Sequence, residues 1–288
     1  MYKLVYFSYY IIYKMMRILI TGGNGNIAKI LLKNISNEFD ITFITRNEAD
    51  LLNELSVSNY LMDKDFDVLI HTAIKGGRRT REETGEVVYE NLIMFENLMQ
   101  YSYKFKLIIN FDSGAIYDRS TDIKCRDELE LKTVPKDYYG FSKYLIYKRS
   151  FQYNNVVNFR IFNIFHSNEE PDRFIKSCFI ANKNKTIIKI FQDKYFDFVY
   201  EDDFVKIVKH YINHFSENLP KTINISYTKK YKLSEIALMI LSDKDLIEIH
   251  NSTLTNNYCG NGNLLNHLNL ELDGLENSIK KYEKLLNF

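Results

Sequence analysis

The feature that most constrains the fold is a glycine-rich turn between a short apolar run and a helix-like segment. The apolar residues 18–20 are followed by Thr21, Gly22 and Gly25, and apolar residues then recur at helical spacing from Ile27. This order predicts a strand, a tight loop and a helix, with Ala28 where a third small residue packs the helix on the strand. Such turns hold a pyrophosphate on backbone N–H groups at the helix start. We expect dinucleotide contacts from Thr21, Gly22, Gly23, Asn24, Gly25, Asn26 and Ile27.

The choice of dinucleotide depends on the end of the second predicted strand, residues 40–45. Arg46 follows it, about 20 residues beyond the glycine turn, where an acidic residue would hold the ribose of NAD. An arginine there suits a 2′-phosphate and predicts NADP, with NAD as the alternative cofactor. Arg46 could equally be an exposed strand-end residue. A third predicted strand, 66–71, leads into Ala73 and two glycines, and we expect Ala73 to line the cofactor crevice.

Strands alternate with helices up to residue 163, which predicts an α/β fold with a doubly wound parallel sheet of the Rossmann type. We assign residues 17–163 to this cofactor-binding domain and residues 164–288 to a smaller C-terminal α/β substrate-binding lobe. Segments near 197–226 could return to the sheet. Residues 1–16 form an N-terminal extension, in which the apolar stretch 1–14 is too short to span a bilayer. A membrane-surface anchor is the alternative for that stretch.

Composition excludes several classes of function. The 288 residues are 45% hydrophobic, which is ample for a core, and their net charge of +1 argues against a nucleic-acid partner. Cys125, Cys178 and Cys259 are far apart in the sequence and form no disulfide framework, so we expect a reducing cytoplasmic setting. No histidine or cysteine spacing is typical of a metal site, and no metal is expected.

The sequence also carries a pair suited to proton transfer. Tyr139 and Lys143 lie four residues apart, so both side chains fall on one face of a predicted helix. The charge of Lys143 can lower the pKa of the phenol, and Ser113, at the end of a buried strand, can share the reacting oxygen. Such a tyrosine can exchange a proton with a sugar alcohol or ketone while a nicotinamide exchanges a hydride.

The order of these motifs resembles a known family. The glycine turn, Ser113-Gly-Ala-Ile-Tyr117, Tyr139-x-x-x-Lys143, Arg160-Ile-Phe-Asn163 and Asp197-Phe-Val-Tyr200 follow one another as in the extended short-chain dehydrogenases/reductases, the sugar-nucleotide epimerases, dehydratases and reductases. The resemblance implies catalytic roles for Ser113, Tyr139 and Lys143, and a second role for Lys143 on the nicotinamide ribose. It implies substrate contacts from Ser113, Gly114, Tyr139, Asn163 and Arg173.

Within that family the chain is most similar to GDP-fucose synthase-like 4-keto reductases, through residues 41–52 and 73–77. The resemblance implies an NADPH-dependent reductase of a nucleotide-linked 4-keto-6-deoxy sugar, made for surface polysaccharide, with GDP, CDP or UDP as the nucleotide. Ala115 replaces the cysteine that these relatives use for epimerisation, and Arg173 replaces their histidine. Phe196 replaces a substrate-contacting arginine. We therefore expect reduction at C4 without epimerisation at C3 or C5.

Two other functions stay open. A sugar-nucleotide 4-epimerase would use the same three side chains with tightly bound NAD. The other alternative to the reductase is a nucleotide-sensing protein on a degenerate reductase fold. Relatives form homodimers through the helices predicted at 82–103 and 138–153, so we expect a homodimer, although Leu145 and Phe151 on the second helix could equally belong to the core.

Overall fold

The computed structural model describes residues 15–77, 82–254 and 256–286. The predicted extension at 1–14 and the arginines of residues 78–81 lie outside the described residues. The centre of the molecule is a six-stranded, wholly parallel sheet in the order β10-β6-β4-β3-β1-β2. Its strands are β1 (Arg17–Thr21), β2 (Asp40–Ile44), β3 (Val68–His71), β4 (Leu107–Ser113), β6 (Val156–Ile161) and β10 (Thr222–Ile225). This confirms the predicted doubly wound α/β fold.

Six further strands pair two by two in small parallel sheets. β5 (Ile123–Arg126) pairs with β12 (Tyr258–Gly260), β7 (Ile164–Phe165) with β9 (Val199–Tyr200), and β8 (Ile188–Ile190) with β11 (Ile247–Ile249). The charge-rich connection after Tyr117, for which the sequence predicts no regular element, therefore contains β5. Its partner strand lies about half the chain away.

Nine α-helices lie in the described part of the chain, with three short 3-10 helices between them. They are α1 (Asn26–Ile35), α2 (Glu54–Leu61), α3 (Glu86–Met99), α4 (Tyr138–Ser150), α5 (Phe174–Asn184), α6 (Glu201–Asn213), α7 (Leu233–Ile240), α8 (Asn263–His267) and α9 (Gly274–Leu286). The 3-10 helices are Ser102–Lys104, Gly114–Tyr117 and Lys244–Leu246. None of these helices combines the length and the apolar character that crossing a bilayer requires.

Apolar layers cover both faces of the sheet. On one face α1 and α6 pack over strand residues such as Ile20, Ile70 and Phe159. On the other, α2, α3 and α4 pack over Leu19, Leu69 and Ile108. Strands covered on both sides are almost continuously apolar, as parallel sheets require. Strand β10 lies outside the range 17–163 assigned to the cofactor domain, since it reaches the sheet from residues 222–225.

A separate apolar cluster lies within the range predicted to form the substrate-binding lobe, called the substrate-side lobe below. It joins α5, α7 and α9 around Phe165, Phe179 and Tyr282. The rings of Phe165 and Tyr282 meet edge to face with centroids 5.4 Å apart. The two parts of the fold thus have distinct cores.

Helices α3 and α4 lie side by side on one face of the sheet. Leu145 on α4 is half-buried, whereas Phe151 at its end and Tyr89 on α3 are exposed. This surface is the one that the resemblance assigns to a dimer contact. The homodimer stays a prediction.

Candidate active site

The glycine turn has the geometry that the sequence predicts. Gly22 adopts a φ of +68°, and a Cβ added there would lie 2.9 Å from the backbone of Ala73. Only glycine fits this position, because the left-handed conformation and the close contact both exclude a side chain. The Gly25 N–H donates to the Gly22 carbonyl at 2.8 Å, which closes the turn.

The start of α1 is open to an anion. Gly25 precedes the helix in an extended conformation and provides no side-chain cap, and the first turn carries no acidic residue. The first intrahelical bond runs from the Lys29 N–H to the Gly25 carbonyl. The N–H groups of Asn26, Ile27 and Ala28 come before it and face the helix N-terminus. Free N–H groups with a positive dipole end suit a phosphate.

A groove of about 580 Å³ lies over this turn. It is lined by six of the residues predicted to bind cofactor, namely Gly22, Gly23, Asn24, Gly25, Arg46 and Ala73. Thr21 lies buried beneath it, where its Oγ1 accepts hydrogen bonds from the N–H groups of Thr72 (3.1 Å) and Ala73 (3.2 Å). Asn26, Ile27 and Lys143 are not part of the lining. The groove and the open helix start together fit a dinucleotide.

Arg46 lies at one end of this groove with 75% of its side chain exposed. Its Nε is 3.9 Å from the Asp50 carboxylate, one turn further along the chain. The neighbouring Glu48 carboxylate accepts hydrogen bonds from the Thr45 N–H (2.7 Å) and hydroxyl (2.6 Å). Glu48 is therefore held by Thr45, which leaves the guanidinium of Arg46 facing solvent and the groove.

The predicted catalytic side chains meet at the carboxyl end of β4. Ser113 ends the strand, and its Oγ accepts the Ala115 N–H at 3.2 Å. Asp137 caps α4 by accepting the Gly140 N–H at 2.8 Å, so that Tyr139 and Lys143 lie in the first turns of the helix. The Lys143 Nζ donates to the Phe111 carbonyl and lies 5.9 Å from the centre of the Tyr139 ring.

The electrostatics of Tyr139 differ from the prediction. Burial raises the pKa of the Tyr139 phenol, and this outweighs the Ser113 hydrogen bond and the Arg119 charge, which lower it. Burial also reduces the pKa of Lys143, to about 8, against the opposing charge of Asp112, so this lysine still carries its charge near the phenol at neutral pH. Because the pKa of its phenol is raised, Tyr139 keeps its proton at neutral pH. A protonated phenol beside a carbonyl is a proton donor.

Backbone covers one face of this tyrosine. A Cβ added to Gly77 would lie 3.0 Å from Cε2 and Cζ of Tyr139, so the glycine packs directly on the phenol ring. The Glu83 carboxylate holds this arrangement together. It accepts the Gly77 N–H at 2.6 Å with one oxygen and the Tyr139 N–H at 3.2 Å with the other. Gly77, the second of the two glycines after Ala73, thus limits where the ring of Tyr139 can lie.

The structure places a second cation, Arg119, beside Tyr139, which the sequence analysis does not predict. The Arg119 guanidinium lies 5.6 Å from the ring centre and pairs with Asp137, the cap of α4. Its side chain is only 14% exposed. No local pattern identifies Arg119, because its partner is 18 residues away across a loop. An arginine shortly after the strand that carries Ser113 is the only signal available.

Arg160 was expected only as part of a motif, yet it is fully buried beneath the site. Its Nε donates to Asp112 at 2.8 Å, and its Nη1 donates to the Tyr117 hydroxyl at 2.6 Å and the Glu128 carbonyl at 2.7 Å. Burial opposes its charge, but Asp112 raises the pKa of Arg160 overall. This ion pair holds the strand end that carries Ser113.

The residues predicted to contact substrate form a second group. Arg173 precedes α5, and its Nη2 donates to the Asn163 Oδ1 at 2.7 Å. Gly114 faces the Phe162 ring so closely that a Cβ would lie 2.5 Å from it. Phe162 therefore connects the strand end of Ser113 with Asn163. Ala115, where relatives carry the epimerase cysteine, is fully buried.

Comparison with known proteins places this site in a family. A search of curated protein sequences found no match. The fold is similar to GDP-mannoheptose C4 reductase from Campylobacter jejuni with NADP bound, at 17% identity and a TM-score of 0.77, covering 95% of this chain and 99% of that one. It is also similar to dTDP-4-dehydrorhamnose reductase from Bacillus anthracis in complex with NADP, at 20% identity and a TM-score of 0.76, covering 93% and 98%.

A third similar structure is the enzyme WbmG from Bordetella bronchiseptica in complex with NAD and UDP, at 15% identity and a TM-score of 0.77, covering 95% and 96%. At these identities the similarity concerns the fold. The sequence itself matches the description "NAD dependent epimerase/dehydratase family" over residues 18–226, well over half of the chain. The match includes the glycine turn, Ser113, Tyr139, Lys143 and Asn163. The chain belongs to the NAD-dependent epimerase/dehydratase family of nicotinamide-dependent enzymes.

Proposed function

We propose that this protein is an NADPH-dependent reductase of a nucleotide-linked 4-keto-6-deoxy sugar that leaves C3 and C5 unchanged. The observation that carries the proposal is the half-buried Tyr139, which lies one turn from Lys143 on α4 and is hydrogen-bonded to Ser113, with the pKa of its phenol raised by burial. Reduction of a ketone needs a proton for the new alkoxide oxygen, and a phenol that stays protonated supplies it.

The chain divides the chemistry as follows. When bound, NADPH supplies a hydride. The backbone of the glycine turn and the α1 N-terminus hold its phosphates, and Arg46 holds the 2′-phosphate. The hydroxyl groups of Ser113 and Tyr139 donate hydrogen bonds to the carbonyl oxygen of the substrate, and Tyr139 transfers its proton to that oxygen. The Lys143 ammonium keeps positive charge near the phenolate that remains.

Ala115 and Arg173 support the absence of epimerisation. Inverting C3 or C5 needs a base and an acid near the carbon with pKa values suited to neutral pH. The Ala115 methyl group cannot ionise and is buried. Arg173 carries a permanent charge and already donates to Asn163, so it is a poor base.

Similar structures support the nucleotide-sugar substrate and the cofactor. The reductases from Campylobacter jejuni and Bacillus anthracis have NADP bound, and their names are those of nucleotide-sugar reductases. The NAD and UDP in the Bordetella bronchiseptica enzyme favour a second candidate, a sugar-nucleotide 4-epimerase with retained NAD. GDP, CDP and UDP remain the candidate nucleotides.

One experiment separates these functions. The purified protein is incubated in heavy water with 4-keto-6-deoxy sugars linked to GDP, CDP or UDP, with and without NADPH, and the products are analysed by mass spectrometry and NMR. We expect NADPH to be consumed with one of them and no deuterium at C3 or C5. Deuterium at either carbon would show an unrecognised base. Failure to consume NADPH, together with NAD released on denaturation, would favour the epimerase.

A further inference from the structure

Two of the three cysteines, distant in the sequence, are neighbours in the fold. Cys125 lies on β5 and Cys259 on β12, and their Sγ atoms are 3.9 Å apart. Tyr258 pairs with Ile123 and Gly260 with Arg126, so β5 carries one extra residue opposite Cys259. Cys125 occupies this bulge with a φ of +48°, which turns its side chain beside the partner thiol.

The two thiols differ in exposure and acidity. Cys125 is exposed and Cys259 is fully buried. The hydrogen bond with Cys259 lowers the pKa of Cys125 to about 6, assisted by the charges of Lys230 and Lys124. The same hydrogen bond and burial raise the pKa of Cys259. An exposed thiolate beside a protonated thiol is the arrangement that an oxidant attacks and a second cysteine resolves.

We propose that Cys125 and Cys259 form a modification site at which a peroxide generates a disulfide that weakens nucleotide-sugar binding without affecting cofactor binding. The second half of this inference rests on the proposed function. The Cys125 thiolate attacks one peroxide oxygen, the O–O bond breaks, and a sulfenic acid and hydroxide result. The Cys259 sulfur then attacks the sulfenic sulfur, the S–O bond breaks, and water leaves with the Cys259 proton. Two thiols are oxidised, and the peroxide is reduced to water.

The two sulfur atoms lie close enough for a disulfide to form after a small movement. The Sγ atoms must approach from 3.9 Å to about 2.0 Å, the length of an S–S bond. Cys125 lies in the bulge of β5 with an exposed side chain, where the ladder is already irregular. Cys178 offers a contrast, because it is fully buried in the substrate-side lobe and burial raises its pKa to about 12.

The bond would act on the substrate side because of what surrounds Cys259. The ring of the preceding Tyr258 packs against Phe162 and Phe196, with centroids 5.1 and 5.2 Å away. A Cβ on the following Gly260 would lie 2.6 Å from the Phe162 ring. Phe162 precedes Asn163, the predicted substrate contact. The residues lining the cofactor groove include no part of β5 or β12.

Thiol chemistry tests the site itself and needs no turnover. The native full chain is treated with hydrogen peroxide, alkylated with iodoacetamide under denaturing conditions and mapped by peptide mass spectrometry. We expect a Cys125–Cys259 disulfide, with Cys178 alkylated as in the untreated protein. The Cys125→Ser variant should form no disulfide, whereas Cys178→Ala should behave as the wild type. Persistent alkylation of both Cys125 and Cys259, or oxidation of Cys125 beyond sulfenic acid without a disulfide, would overturn the assignment.

Kinetics test the consequence. After oxidation we expect the KM for the nucleotide sugar to rise by about fivefold or more, the low end of coupling between two sites. The NADPH dissociation constant should change less than about twofold, and dithiothreitol should restore the KM. The Cys125→Ser enzyme should show neither change. A disulfide with unaltered KM would refute the effect on the substrate side, whereas an untreated enzyme that reduces no 4-keto sugar would count against the proposed function only.

Discussion

At the scale of single residues, the proposed reduction depends most on Tyr139 as the proton donor. If its phenol delivers the proton, Tyr139→Phe should lower kcat by roughly 100-fold or more, the contribution of a positioned general acid. NADPH binding should hardly change, since the ring itself is retained. Tyr138→Phe is the matched control, because Tyr138 is the adjacent, exposed tyrosine of the same helix. Stopped-flow turnover and NADPH titration measure both quantities, and near-normal turnover in Tyr139→Phe would place the proton donor elsewhere.

Arg46 carries the second prediction at this scale. Its planar, permanently charged group suits the 2′-phosphate of NADPH, and its exposed position leaves it available. Arg46→Ala should therefore remove most of the preference for NADPH over NADH. Lys33→Ala, which removes an exposed charge at the far end of α1, should leave the preference intact. Calorimetric titration of both cofactors measures it, and equal affinities in the unmutated protein would contradict the prediction.

Lys143 makes stability depend on pH. Its pKa is about 8 in the folded protein against 10.5 for the free side chain, so between these values the unfolded chain holds more protons. Cofactor-free stability should therefore rise as the pH increases from about 8 to 10.5. The rise amounts to roughly 3 kcal/mol. Lys143→Met should lack it. Urea unfolding across this range compares the two proteins, and parallel pH profiles would show that the pKa of Lys143 is the same in the folded and unfolded chains.

At the scale of elements, the packing of Gly77 on Tyr139 of α4 makes a sharp prediction. Gly77→Ala places a methyl group 3.0 Å from the Tyr139 ring at a φ of +89°, so the ring must move. We expect kcat to fall by about tenfold, which corresponds to about 1.4 kcal/mol in the barrier. Gly85→Ala is the control, since a Cβ there meets no atom within 4 Å. Steady-state kinetics of the two variants should differ, and equal kcat values would contradict the role of this contact.

Most strands of the main sheet were predictable because their apolar runs are local signals. Residues 40–44 and 68–71 form strands close to the predicted 40–45 and 66–71. Strands β5 and β12 left no such trace, since each is short and the strand it pairs with lies about half the chain away. Helix α2 was missed because its apolar residues mark no clear face, with only Val57 and Leu61 buried.

The same distinction holds for the site. The glycine turn, Ser113, Tyr139 and Lys143 belong to motifs with fixed spacing, so the sequence predicts them together. Arg119 acts through Asp137 across a loop, which no spacing rule contains. The raised pKa of Tyr139 also follows from burial, to which residues distant in the sequence contribute. Spacing thus identifies the reacting groups, whereas their electrostatics depend on packing.

At the scale of the whole molecule, a buried ion pair between Arg160 and Asp112 joins the neighbouring strands β6 and β4. Arg160 also donates to the Tyr117 hydroxyl and the Glu128 carbonyl in the segment that follows β4. Arg160→Met would leave the Asp112 carboxylate buried without its partner. We therefore expect the unfolding free energy to fall by about 3–5 kcal/mol, the usual range for such a change. Adding Asp112→Asn should recover part of the loss. Denaturant unfolding of the single and double variants measures this, and a single variant as stable as the wild type would show that the pair contributes little.

The position of β10 at the edge of the sheet has a consequence for biosynthesis. As the ribosome releases the chain, β6 is complete at residue 161, but its outer neighbour does not exist until residue 225 has emerged. During that interval the apolar β6 presents unpaired N–H and C=O groups, which invite pairing with other nascent chains. The six-stranded sheet of the predicted cofactor domain cannot be completed before residues 164–225 have been made. We therefore expect a chain truncated after residue 163 to expose the unpaired edge of β6 and to aggregate, rather than to fold as an independent cofactor-binding domain.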